Sequence, residues 1–141
     1  MTRSMYFSFA FTLILFCSIS YAQEKKENGE QTHEMKPSTV KELDAFHELL
    51  HPLVHEAYPN KDFASIKKAL PGLIESATTL KNASLPKELS AKKNFFKKES
   101  KKLLKQLADL KKKQDSLTGE AFGKKFMEMH DTFEKLMDMT H

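Results

Sequence analysis

Apolar residues recur every three to four positions from Ser38 to the C-terminus, which is the spacing of one helix face. Four such stretches follow one another, separated by proline, glycine or small polar residues. The first carries Val40, Leu43, Phe46, His47, Leu50, Leu53, Val54, Ala57 and Tyr58 on one stripe and ends at Pro59-Asn60. Ser38 or Thr39 is placed to cap it, with Glu42 completing a capping box on Thr39. The second starts near Asn60 or Asp62 and aligns Phe63, Ile66, Leu70, Leu73, Ile74, Ala77 and Leu80. Pro71-Gly72 is expected to kink or break it, since proline removes a backbone donor and crowds the preceding turn. The third begins at Ser84-Leu85-Pro86, with Leu89, Phe95, Phe96, Leu103, Leu107 and Leu110 as its seam. After a turn at Asp115–Gly119, the fourth aligns Phe122, Phe126, Met129, Phe133, Leu136 and Met137.

No stretch alternates with period two, and valine and isoleucine are sparse after the first 22 residues. Four amphipathic segments joined by short connections predict an all-α fold: an antiparallel, up-down-up-down four-helix bundle over residues 39–141.

The N-terminal region has a different pattern. Arg3 precedes an uncharged, largely apolar run, Ser20-Tyr21-Ala22 ends it with small residues at −3 and −1, and Gln23-Glu24-Lys25-Lys26-Glu27 returns abruptly to charge. This is the layout of a cleavable secretory signal at 1–22, which implies a periplasmic or secreted protein. Residues 23–38 are polar and aperiodic and read as a flexible leader. Phe16 before Cys17 does not suit lipid attachment. Cleavage removes Cys17 and Arg3, the chain's only cysteine and only arginine. Disulfides and thiolate chemistry are thereby excluded from the exported part. Bidentate arginine contacts to phosphate are excluded too, which with export argues against a nucleic-acid partner.

Histidine then becomes the leading candidate ligand. His47, His51 and His55 are spaced one helical turn apart on the first segment. Each step of four drifts by about 40°, which places His47 in the apolar stripe, His51 at its border and His55 nearer solvent, with Pro52 able to alter the last placement. On the fourth segment His130 and Glu134 share a flank, and first and last helices are neighbours in an up-down bundle. Neutral imidazoles with one carboxylate suit a divalent transition metal, zinc first and copper or nickel as alternatives. His47, His51, His130 and Glu134 are the expected ligands, with His55 next. Glu48, Glu56 and Asp131 are candidates to orient the imidazoles from behind. Against this stands the reading of partly exposed histidines with no ligand. His33 and His141 read as solvated.

Other chemistry fares less well. His47-Glu48-Leu49-Leu50-His51 matches the HExxH of zinc peptidases, with Glu75 as a conceivable distant ligand. Such enzymes align substrate along a strand, none is predicted here, and Pro52 follows directly, so catalysis is not expected. Met35, Met127, Met129, Met137 and Met139 would suit Cu(I) or Ag(I), although Met129 and Met137 also fit as core fillers. Haem is disfavoured by the absence of CxxCH. No nucleophile elbow or phosphate-binding glycine loop occurs. Lys87 to Lys113 holds eleven lysines against Glu88, Glu99 and Asp109. A solvated outer face explains such a run, with weak attraction to an anionic envelope surface as the functional option.

The strings FHELLHPLVHEAYPNKD, LPGLIESATTLKNASLP and MHDTFEKL resemble a group of small exported bacterial helical proteins. Their pattern opens on Phe-His, continues through LHPL, a third histidine and YPxKD, and closes on an LH-type motif. The resemblance spans about residues 40–137 and implies metal handling. It places His47, His51, His55 and His130 at the matching positions, with Met129-His130 standing where the group has Leu-His. In architecture the chain is similar to cytochrome b562-like and cytochrome c′-like bundles. The combined expectation is an exported, non-enzymatic bundle that senses, buffers or carries a metal ion. The alternative is a metal-free envelope interaction protein using its lysine face or an apolar groove, and a minor alternative is a zinc hydrolase.

Overall fold

A computed structural model of the chain describes residues 38–140. The expected signal at 1–22, the leader through residue 37 and His141 lie outside the described residues. Four α-helices account for most of the rest: α1 (Lys41–Pro52), α2 (Phe63–Lys81), α3 (Lys93–Lys113) and α4 (Gly119–Asp138). Consecutive helices pack in order, α1 on α2, α2 on α3 and α3 on α4, as an all-α up-down bundle. α1 and α4 meet through side chains, the rings of Phe46 and Phe133 lying 5.0 Å apart. Among the described residues no helix is long and apolar enough to cross a membrane.

The core follows the stripes read from the sequence, with Val54, Ala57, Tyr58, Phe63 and Ile74 only partly buried against it. Leu43, Phe46, Ile66, Leu70, Leu103, Leu107, Phe122, Phe126 and Phe133 are wholly buried. Two assignments need correction. Phe95 is 42% exposed, and Met139, which falls outside the sequence stripe, is buried. Phe95 and Phe96 are neighbours, about 100° apart on the helix, so only one can face the core. Phe96 shares its face with Leu103, Leu107 and Leu110, and it is the one that is buried.

The helix ends depart from expectation in instructive ways. No Thr39–Glu42 capping box forms. Val40 takes the N-cap position without a side-chain cap. Burying Val40 in the core pushes the helix start one residue past Thr39. Ser38 still serves the entry: its Oγ accepts from the Val40 N–H at 3.0 Å, and its own N–H donates to Asp44 Oδ1 at 2.8 Å. Asp62 and Thr118 cap α2 and α4, accepting from the N–H groups of Ser65 and Ala121. The third helix begins later than Ser84–Pro86, because a 3-10 turn at Lys87–Lys92 precedes α3. α2 runs through Pro71 unbroken. Pro71 and Gly72 face solvent.

Pro52 has the opposite outcome. α1 passes directly into a π-helical turn at Leu53–Ala57, closed by the Tyr58 N–H donating to the Leu53 carbonyl at 2.9 Å. Proline's ring crowds the turn before it, and a wider turn relieves that crowding. The chain then leaves the helix through paired bonds, Asp62 N–H to the Ala57 carbonyl (2.8 Å) and Lys61 N–H to the Tyr58 carbonyl (3.0 Å). This is the Schellman pattern, with Lys61 in the left-handed position at φ 55° where glycine is usual. Lys61→Gly is therefore expected to stabilise the fold by about 1 kcal/mol, less the extra chain entropy glycine brings, as read by urea denaturation. A destabilisation would mean that the lysine side chain does more than occupy the turn.

Candidate functional site

The histidines of the first helix form a continuous ladder. The His47 and His51 rings are 5.4 Å apart and nearly perpendicular, and the His51 and His55 rings are 4.4 Å apart. The closer second step follows from Pro52. A π turn has more residues per turn than an α-helix, so four residues rotate less in excess of a full circle. His55 stays over His51 instead of drifting away.

His47 is half-buried and its ring stacks on Phe133 of α4, 6.0 Å between centroids and 8° between planes. His51 and His55 are exposed. On α4, His130 Nε2 lies 3.2 Å from Glu134 Oε1, one turn on. The two groups share an electrostatic environment. Burial holds His47 below its ordinary pKa of 6.5, and the neighbouring His51 pushes the same way. Glu134 opposes the shift, His55 adds to it and Asp44 opposes it. His47 is thus kept neutral near pH 7, the form in which imidazole ligates metals.

The structure accordingly brings His47, His51, His55 and Glu134 into one neighbourhood, with His130 attached through Glu134. Among the described residues no three His, Cys, Asp or Glu side chains already converge as a metal-holding group. The imidazoles stand in a row, stacked and paired, rather than pointing at a common centre. Asp44 was not anticipated at this site. Its signal was the i, i+3 spacing to His47 on the same helix. Glu48, Glu56 and Asp131 are exposed, and none of them is among the acids acting on His47.

The methionines group differently. Met129, Met137 and Met139 are buried in the core and Met127 is half-buried. A separate cavity of about 550 Å³ is lined by Tyr58, Phe63, Gly123 and Met127, with Lys61, Lys124, Glu120, Glu128 and Asp131 at its edge. None of the five candidate ligands lines it, and its rim carries both signs of charge.

Compared with known proteins, the chain matches no family model, no curated protein and no solved structure.

Proposed function

We propose that this protein is an exported, non-enzymatic helical bundle that binds a divalent transition metal ion and senses, buffers or carries it. The observation that carries the reading is the ladder itself. Three imidazoles are in successive ring contact across Pro52, and the first feels the carboxylate that holds His130. Histidines four apart on a helix can bind one ion together, and a carboxylate from a second helix completes the set. His51 and His55 are exposed, outside the apolar core, so a change of rotamer toward a shared ion displaces no core side chain. Zinc fits this donor set best, with Cu(II) or Ni(II) next. Thioether ligation of Cu(I) has less support, because Met129, Met137 and Met139 are committed to the core. The likeness to small exported bacterial proteins with an FHxxLHPLxHExxYPxKD pattern supports the same reading. The HExxH turn runs along the α1–α4 seam with His47 stacked on Phe133, which favours a binding over a hydrolytic role.

Thermal melts of untagged protein with Zn²⁺, Cu²⁺, Ni²⁺ or EDTA test this. A free ion at a hundredfold excess over its Kd adds about 2.7 kcal/mol, a clear rise in Tm that EDTA should reverse. The double variant His51→Ala/His55→Ala should lose the rise, and Glu134→Gln should reduce it. If no metal raises Tm above the EDTA value, or if the double variant responds like wild type, the proposal is wrong.

A further inference from the structure

We infer that the outward face of α3 docks on anionic lipid headgroups, with Phe95 inserted at its edge. This goes beyond the metal reading and uses none of the same residues. The buried face of α3 is set by Phe96, Leu103, Leu107 and Leu110. Lys97, Lys98, Lys101, Lys102 and Lys105 project on the other side, and all are exposed. Helix geometry puts Phe95, Lys98 and Lys102 on one ridge, at i, i+3 and i+7.

Among the described residues, Glu99 beside Lys98 is the one acid within salt-bridge distance of these lysines. α3 has two acids, Glu99 and Asp109. Glu99 is turned inward, 6% exposed, with only the Lys98 Nζ near it at 4.0 Å. On α4, Glu134 is engaged with His130 and not with a lysine of α3. The result is a cationic strip whose five lysines span about 12 Å of the helix, with Asp109 exposed beyond them and Asp138 of α4 beside Phe95. A plain solvated face needs no aromatic group, yet Phe95 is 42% exposed at the edge of the strip. Cationic side chains beside an exposed aromatic ring match a lipid interface. The ammonium groups meet headgroup phosphates, the lysine stems snorkel, and the ring enters the acyl boundary.

A straight convex strip suits a flat surface better than a groove-bound partner. Its lysines are point charges without arginine's fork, which suits diffuse headgroup charge better than base or phosphate recognition in nucleic acid.

The test is co-sedimentation of the exported chain, residues 23–141, with vesicles, in EDTA so that no metal bridges the two. Phosphatidylcholine vesicles are compared with vesicles containing about 30% phosphatidylglycerol. Binding to the anionic vesicles only is expected, falling about tenfold or more as salt rises from roughly 50 to 300 mM. The variant Lys98→Glu/Lys101→Glu/Lys102→Glu/Lys105→Glu should abolish it, and Phe95→Ser should weaken it severalfold at fixed salt. All five positions are exposed, and far-UV circular dichroism confirms that each variant is folded. Double-stranded DNA serves as the competing polyanion, and Phe95→Ser should leave any DNA binding unchanged. The inference is overturned if anionic and neutral vesicles bind alike, if neither binds, or if the charge-reversed variant binds as wild type does. It is equally overturned if DNA binds more tightly than the vesicles while Phe95→Ser affects neither.

Discussion

Replacing Phe133 with alanine should lower the unfolding free energy by about 3–5 kcal/mol. Phe133 is fully buried at the α1–α4 seam, against Phe46 at 5.0 Å and under the His47 ring at 6.0 Å. Deleting the ring removes its transfer free energy and leaves a cavity that two helices must move together to close. For a domain of about one hundred residues this means a fall in Tm of roughly 15 °C or more. Phe95→Ala is the matched control. Its ring is largely in water, so its loss should change stability by no more than about 0.5 kcal/mol. Similar losses from the two substitutions would contradict this placement of the seam.

The same variant reports on the candidate site through pH. His47 has its folded pKa below the unfolded value of 6.5, chiefly by burial. The unfolded chain therefore takes up a proton more readily, and stability falls as pH drops from 6.5 to the folded pKa, then levels. Phe133→Ala opens one side of the imidazole. Its titration, followed by NMR, should move up toward 6.5, and this part of the acid-side slope should shrink. An unchanged His47 titration would mean that His51 and His55, not the ring stack, set its pKa.

The two halves of that prediction were not equally legible in the sequence. The burial of Phe133 was, because a helix stripe needs only periodicity, and Phe122, Phe126 and Met129 point the same way. The i, i+4, i+8 spacing likewise located His47, His51 and His55, and i, i+4 located His130 beside Glu134. What periodicity assumes is a constant 100° per residue, and Pro52 breaks that assumption. The π turn at Leu53–Ala57 brings His55 back over His51, and no count of 3.6-residue turns could anticipate it. Pro71 shows why proline alone does not predict the outcome. α2 continues through it, although Pro52 and Pro71 are alike exposed. Similarly, Ser38, Thr39 and Glu42 offered a sound local capping box, but the burial of Val40 decided where α1 begins. Local hydrogen bonds worth about 1 kcal/mol yield to a buried side chain worth about twice that.

The contact of α2 with α4 involves two glycines whose role the sequence did not reveal. Gly119 and Gly123 sit one turn apart on α4, and the Phe63 ring of α2 lies across both. A Cβ at Gly119 would stand 2.9 Å from Phe63 Cδ2 and Cε2, and one at Gly123 would stand 2.9 Å from Cε1 and 3.1 Å from Tyr58 Cε2. Gly→Ala inside a helix normally gains about 1 kcal/mol from propensity. Gly72 in α2, with nothing within 4 Å of its would-be Cβ, should show that gain. At Gly123 the added Cβ would meet two rings at once, Phe63 Cε1 at 2.9 Å and Tyr58 Cε2 at 3.1 Å, so both side chains must give way together. Overpacking of this kind costs about 1–3 kcal/mol per site, which outweighs the propensity gain. Gly119→Ala/Gly123→Ala should therefore lose about 1–3 kcal/mol in urea denaturation, the overpacking cost less the propensity gain. The loss should be less than the sum of the single variants, because once Phe63 is displaced the second methyl meets little. Opposite signs for Gly72→Ala and Gly123→Ala are the decisive result. If both stabilise, Phe63 has room to rotate, and the tight α2–α4 contact is not what fixes the bundle at this end.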